Sequence, residues 1–226
     1  MFRGTFTALV TPFRDRGIDV AAFEQLIETQ VAAGITGIVA IGTTGESPAL
    51  SHEEREQAIR VAVAKANKRC LVLAGTGSNA TQHAIADTKL AEKLGVDAAL
   101  LVAPYYNKPS QEGLFRHFKA IADTTSLPIM LYNIPGRCSV DIVPETVARL
   151  ANECRNIVSI KEASGSVERV NELRRQLPDA FTILSGDDSL GWRGAMSPEV
   201  RLPLCEMSEA NTARLRKTLE DFESKR

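Results

Sequence analysis

One lysine in this chain stands where lysine is costly. Lys161 ends the apolar run Ile157-Val158-Ser159-Ile160. A charged amine inside such a run raises the free energy unless it is paired or neutral. Burial favours the neutral amine, which can attack a carbonyl carbon and form a Schiff base. The same run also suits a lysine that snorkels to water or pairs with Glu162. Gly42-Thr43-Thr44-Gly45-Glu46 offers a second chemistry. Glycines let backbone N–H groups approach an anion, and threonine hydroxyls add donors, so a small carboxylate would fit. A plain turn, with Glu46 capping or pairing locally, fits it as well. The only tyrosines are Tyr105, Tyr106 and Tyr132. A held tyrosine hydroxyl can pass protons, although rim packing is the commoner use of the residue. Arg137, in Tyr132-Asn133-Ile134-Pro135-Gly136-Arg137, could clamp a carboxylate through two parallel hydrogen bonds, or lie in a surface loop. Gly75-Thr76-Gly77 and Gly186-Asp187-Asp188 look like strand-end turns that supply shape. His117 and Trp192 read as structural.

These residues need elements to hold them. Apolar, β-branched runs recur at Phe6–Val10, Gly37–Ile41, Leu71–Ala74, Ala98–Ala103, Ile129–Tyr132, Ile157–Lys161 and Phe181–Leu184. Helical spacing fills the gaps at Ala21–Ala33, His52–Ala66, Ala80–Leu94, Gln111–Thr124, Glu145–Ala151 and Val167–Gln176. Ser51 with Glu54 reads as a capping box, Asn79 and Ser110 as N-caps, and Pro144 as a first-turn residue. Strands alternating with helices predict an α/β fold with a parallel sheet, and the uniformly apolar strands predict that both faces are covered. No Gly-x-Gly-x-x-Gly follows the first strand. Polar residues instead gather at the C-terminal ends of several strands, the arrangement of a TIM-type (β/α) barrel.

The barrel is incomplete. A full one has eight strands in about 250 residues, and the pattern stops after Leu190. The expected division is a partial barrel over 1–190, then an irregular connection and terminal helix over 191–226 packed on the same domain. That helix, Ser208–Glu223, would be capped by Ser208 and carry Leu215, Leu219 and Phe222 on one face.

Composition narrows the function. The formal net charge of -1 gives no support for nucleic-acid or membrane-surface binding. No apolar run approaches the ~20 residues that span a bilayer, and the N-terminus lacks a leader pattern. Cys70, Cys138, Cys154 and Cys205 form no Cys-x-x-Cys pair, so a reduced, cytoplasmic setting is expected. His52, His83 and His117 have no ligand spacing, so no metal is expected.

The motifs stand in a fixed order: Gly42-Thr43-Thr44-Gly45-Glu46, Pro104-Tyr105-Tyr106-Asn107, Tyr132 to Arg137, Ile160-Lys161-Glu162-Ala163 and Ser185-Gly186-Asp187-Asp188. The set resembles the dihydrodipicolinate synthase family of pyruvate-dependent lyases and aldolases, which includes N-acetylneuraminate lyase. The likeness runs from Met1 to Leu190 and resumes more weakly from Arg201-Leu202-Pro203-Leu204 through the last helix. It implies that Lys161 forms an imine with pyruvate and that Thr44 and the adjoining backbone hold the pyruvate carboxylate. It implies that Tyr132 moves protons through a relay with Thr43 and with Tyr106 lent by a neighbouring subunit. Arg137 would bind the carboxylate of aspartate semialdehyde, and Gly186 belongs to the substrate-binding set. The product would be 4-hydroxy-tetrahydrodipicolinate, on the way to lysine, with no cofactor.

This chain also departs from the family. The eighth strand and much of the C-terminal helical region have no counterpart, as after an internal deletion. A backbone carbonyl on the missing strand lines the family's pyruvate site. Two alternatives therefore stand beside the synthase: a catalytically impaired remnant that keeps the scaffold, and a sibling sugar-acid aldolase. Unpaired outer strands imply a homodimer or higher homo-oligomer. His52 and Asn79 match positions lining the family's lysine-feedback site, whereas Arg55 and His83 depart from it, which implies weak or absent inhibition by lysine.

Overall fold

The computed structural model describes residues 2–186 and 208–223. Its centre is a parallel sheet of seven strands: β1 (Phe6–Ala8), β4 (Gly37–Ala40), β5 (Leu71–Gly75), β6 (Ala98–Val102), β7 (Ile129–Asn133), β8 (Ile157–Glu162) and β9 (Thr182–Ser185). They lie side by side in chain order. A two-stranded antiparallel hairpin, β2 (Phe13–Arg14) and β3 (Gly17–Ile18), precedes the first helix. The helices are α1 (Val20–Ala32), α2 (His52–Ala66), α3 (Thr81–Leu94), α4 (Gln111–Ala122), α5 (Pro135–Cys138), α6 (Pro144–Glu153), α7 (Val167–Gln176) and α8 (Glu209–Glu223).

Why the strands are apolar throughout is visible in the two cores. Along β5, Val72 and Ala74 pack in the outer core with helical residues such as Ile59 and Ala84. Leu73, between them, turns to the inner face. There it joins Ala8, Val39, Leu100, Met130 and Tyr132. Phe6 of β1 and Leu184 of β9 reach that same inner cluster, so the sheet curls far enough for its outer strands to share one core. The expected incomplete TIM-type barrel is what forms. Among the described residues, β1 pairs with β4 alone and β9 with β8 alone.

The helix starts follow local chemistry. Ser51 and Glu54 form the capping box, each side chain meeting the other's backbone N–H. Ser110 accepts from the Gly113 amide at 3.2 Å, and Pro144 opens α6. Ser208 accepts from the Asn211 amide. Asn79 does not cap α3, which corrects the sequence expectation. The cap position is Ala80, with no side-chain hydrogen bond, and the Asn79 carbonyl instead accepts from Asn107 Nδ2 at 2.9 Å. The hairpin was not expected either, because its turn residues Asp15 and Arg16 take positive φ without a glycine to signal it. Asp187, Asp188, Trp192, Cys205 and the connection over 191–203 lie outside the described residues. So do the side chains of Leu215, Leu219 and Phe222.

His117 is structural, as expected. Its ring is buried on α4, Nδ1 lies 2.9 Å from Thr81 Oγ1, and burial pushes its pKa down to about 4. The folded imidazole therefore stays neutral while the unfolded one protonates below about 6.5. Stability is present above that value and is lost as pH falls towards 4. The loss expected from this group between pH 7.5 and pH 4 is about 3 kcal/mol. Urea unfolding of the wild type and of His117→Gln at both pH values checks this. An equally steep loss in the variant would contradict it.

Candidate active site

The site is built on two adjacent strands. Tyr132 on β7 is the register partner of Lys161 on β8, and Lys161 in turn pairs with Leu184 on β9. Residues in register on neighbouring parallel strands face the same side of a sheet. Lys161 and Tyr132 both point inwards, and Lys161 Nζ lies 4.7 Å from the Tyr132 ring centroid. The ring face stabilises a cation there, be it an ammonium or a protonated imine. Tyr132 is buried and Lys161 half-buried. Glu162, the other partner the sequence allowed for Lys161, makes its hydrogen bonds elsewhere: its carboxylate accepts from Asn133 Nδ2 and the Ser164 amide.

Gly186 touches the lysine directly. A Cβ at this position would come within 2.7 Å of Lys161 Cε and 2.8 Å of Ala163 Cβ. The Gly186 amide donates to the Glu162 carbonyl at 2.9 Å, so the backbone cannot easily retreat. The sequence places this glycine at a strand-end turn and in the substrate-binding set; in the fold its missing side chain leaves room for the lysine stem. Gly186→Ala should push the amine off its mark and slow imine formation with pyruvate by roughly a hundredfold, the usual cost of a displacement near 1 Å. Borohydride trapping rates on the folded variant test this, and a rate equal to wild type would contradict it.

The second strand-end loop lies opposite. Ile41, which follows β4, has φ 49° although it is β-branched and buried. Such a conformation costs on the order of 1–3 kcal/mol and is held only by its surroundings. A Cβ on Gly75 would collide with the Ile41 carbonyl, so the glycine allows the neighbouring strand to approach. The strained turn leads straight into Gly42-Thr43-Thr44. The Gly45 and Ser47 amides both donate to the Gly42 carbonyl, and Thr11 Oγ1 donates to the Gly45 carbonyl at 2.7 Å. Thr44 is half-buried in this loop and Thr43 is exposed.

A cavity of about 690 Å³ opens beside these elements. Thr43, Tyr105, Tyr132 and Arg137 line one part of it. Arg137 is exposed on the short helix α5, with no ion-pair partner among the described residues. The cavity extends between α2 and α3 to His52, Arg55, His83 and Asp87. There the Arg55 guanidinium is already committed: Nη2 meets Asp87 at 2.8 Å, and Nη1 meets Ser47 Oγ at 2.9 Å. Tyr106 does not line this cavity. It is 88 % exposed, at φ 74°, on the loop after β6.

The arrangement thus offers a half-buried amine against a phenol, a threonine hydroxyl across a strained turn, and an uncommitted guanidinium at the mouth. An amine can capture a carbonyl, a phenol can relay the protons, and a guanidinium can hold an acid group. Sequence reasoning missed what supports this set. Asn133 and Glu162, each one residue beyond Tyr132 and Lys161, are buried and bonded to one another.

Known proteins resemble this chain in sequence and in fold. The model of the dihydrodipicolinate synthetase family matches residues 1–197. The chain is 54% identical over 216 residues to the 4-hydroxy-tetrahydrodipicolinate synthase of Thermodesulfovibrio yellowstonii, covering 92% of this chain and 74% of that one. It is 53% identical over 190 residues to the enzyme of the same name from Endomicrobium trichonymphae, covering 84% of this chain and 65% of that one, slightly less than two thirds of its length. Among solved structures, the 4-hydroxy-tetrahydrodipicolinate synthase of the thermoacidophilic methanotroph Methylacidiphilum fumariolicum SolV superposes with a TM-score of 0.96 at 42% identity. That match covers 100% of this chain and 97% of the other.

Proposed function

The chain belongs to the dihydrodipicolinate synthetase family, and from that premise we propose that it condenses pyruvate with aspartate semialdehyde to give 4-hydroxy-tetrahydrodipicolinate. The observation that carries the reading is the placement of Lys161 Nζ 4.7 Å over the ring of Tyr132, which itself lines a cavity together with Thr43 and Arg137.

The neutral Lys161 amine adds to the keto carbon of pyruvate, water leaves, and an imine forms. Its protonated form draws electrons from the adjacent methyl group, which gives up a proton to leave an enamine. The enamine carbon attacks the aldehyde carbon, and the new carbon–carbon bond leaves an alkoxide that takes a proton. The second substrate's own amine then attacks the imine carbon, expels Lys161 and closes the ring. Tyr132 and Thr43 hydroxyls carry the protons without placing a fixed charge beside the imine. Thr44 and its loop hold the pyruvate carboxylate, and Arg137 holds that of the semialdehyde. No cofactor enters any step. A coupled assay with pyruvate and aspartate semialdehyde tests the reading against the sugar-acid alternative. Cleavage of N-acetylneuraminate without semialdehyde turnover would overturn it.

The assembly is part of the same proposal. The open outer strands β1 and β9 favour a homodimer or larger homo-oligomer in which a second chain covers the gap. The exposed Tyr106 would then enter a neighbour's proton relay. Light scattering that finds a stable monomer at every concentration would refute this. No helix among the described residues is long and apolar enough to cross a membrane. The free, buried Cys70, Cys138 and Cys154 support a cytoplasmic setting. At the far end of the cavity, Arg55 already neutralises Asp87, which leaves no free carboxylate on that wall, among the described residues, for a ligand's ammonium group. Excess lysine should therefore leave the melting temperature unchanged, and a clear rise would contradict that.

A further inference from the structure

A chain of buried and half-buried polar side chains runs directly behind the two proposed catalytic residues. Asn133 follows Tyr132, Glu162 follows Lys161, and the two are register partners on β7 and β8. Side chains alternate along a strand, so this pair faces the side opposite to the Lys161–Tyr132 pair. Asn133 is 0% exposed and Glu162 5%. Every polar atom of Asn133 is used. Nδ2 donates to Glu162 Oε2 at 3.0 Å and to Asp141 Oδ1 at 2.8 Å, while Oδ1 accepts from the Ile142 amide at 3.0 Å. Glu162 Oε1 accepts from the Ser164 amide at 2.7 Å, which ties down the turn after β8. Asp141 is gripped in a fork by Arg169, at 2.6 Å through Nη2 and 3.1 Å through Nη1. Arg169 also donates to the Ile142 carbonyl at 3.1 Å.

The location is unusual for a merely structural network. Burying a carboxylate is expensive, and well-packed apolar residues often serve stability better. Asn133 and Glu162 are also the last residues of their strands, the point beyond which ladder pairing stops. Strand ends are free to splay unless side chains hold them, and a splay here changes the spacing of Tyr132 and Lys161.

We infer that the Asn133–Glu162 bridge, anchored by Asp141 and Arg169, is a positioning clamp that fixes the Lys161 amine against Tyr132. Glu162 and Asn133 touch no substrate and act through their neighbours. The inference rests on the imine chemistry proposed above for its kinetic consequence, but its geometric content stands apart from that chemistry.

Glu162→Gln is the test, since it keeps the volume and presents an amide towards the Asn133 amide. Two readouts are taken on the folded variant. One is imine trapping by pyruvate and borohydride, together with kcat and both KM values. The other is acetylation of Lys161 by a small neutral anhydride, mapped by peptide mass with the exposed Lys68 as internal reference. The clamp predicts that trapping and kcat fall by roughly ten- to a hundredfold, with KM for the semialdehyde little changed. It predicts that Lys161 acetylation rises several-fold relative to Lys68. Ile59→Val, a core change on α2 far from the clamp, should lower the melting temperature and leave both Lys161 readouts in place. If Glu162→Gln does not fold, Asp141→Asn loosens the same clamp from its partly exposed end and should move the readouts in the same direction. Lys161 acetylation and trapping equal to wild type in a folded variant would overturn the inference. If the wild type traps no pyruvate, the proposed reaction fails, and the acetylation ratio alone decides the clamp.

Discussion

Lys161→Ala is expected to abolish the pyruvate adduct and to lower turnover by roughly a thousandfold or more, because the covalent step has no other amine to use. The geometry makes the lysine hard to replace. It lies on the inner face of β8, its stem fits the space that Gly186 leaves, and its Nζ faces the Tyr132 ring. Lys65, Lys68 and Lys119 are engaged in ion pairs at or near the surface. The expected result is a folded and inactive protein. A variant that still gains the mass of a reduced pyruvate adduct would show that the imine forms elsewhere.

The second large effect belongs to Tyr132. Tyr132→Phe keeps the ring that faces Lys161 and removes only the hydroxyl. Cation–π support of the protonated imine survives, while proton transfer does not. Turnover should fall by about a hundredfold or more, the usual share of a positioned acid–base group. The melting temperature should change little, because the ring still fills the inner core beside Met130 and Leu100. Imine trapping should slow as well, since water must leave as the imine forms, though an adduct should still be detected at long times. If Tyr132→Phe turned over at the wild-type rate, the proton path would run through another group.

Much of this was legible in the sequence, and the reason is the double burial of the sheet. A strand covered on both faces reads as an apolar run, so all seven parallel strands stood out, and Lys161 stood out as the exception within its run. Ser51, Ser110 and Pro144 announced helix starts because capping is local chemistry. Signals failed where the structure is made by distant contacts. The hairpin at Phe13–Ile18 has strands of two residues and a turn without glycine or asparagine. Asn79 has the composition of a cap, yet its carbonyl is claimed by Asn107 from another loop. The Asn133–Asp141–Glu162–Arg169 chain joins residues up to 29 positions apart, and nothing in their local spacing points to it. Gly186 looked like a turn glycine, and only the packed structure shows that its missing side chain is space for a lysine. The family likeness supplied the roles of Thr44, Arg137 and Tyr106, which residue types alone left open.

Among the described residues, the outer edges of β1 and β9 have no pairing strand. The central claim is that the lysine, the tyrosine and the strained threonine loop of this chain suffice to capture pyruvate. Borohydride reduction with pyruvate, read by intact mass and peptide mapping on the wild-type chain, tests that claim most directly. One reduced pyruvyl adduct, on Lys161, is the expected result. A folded protein that gains no adduct, or gains it on another lysine, would contradict it.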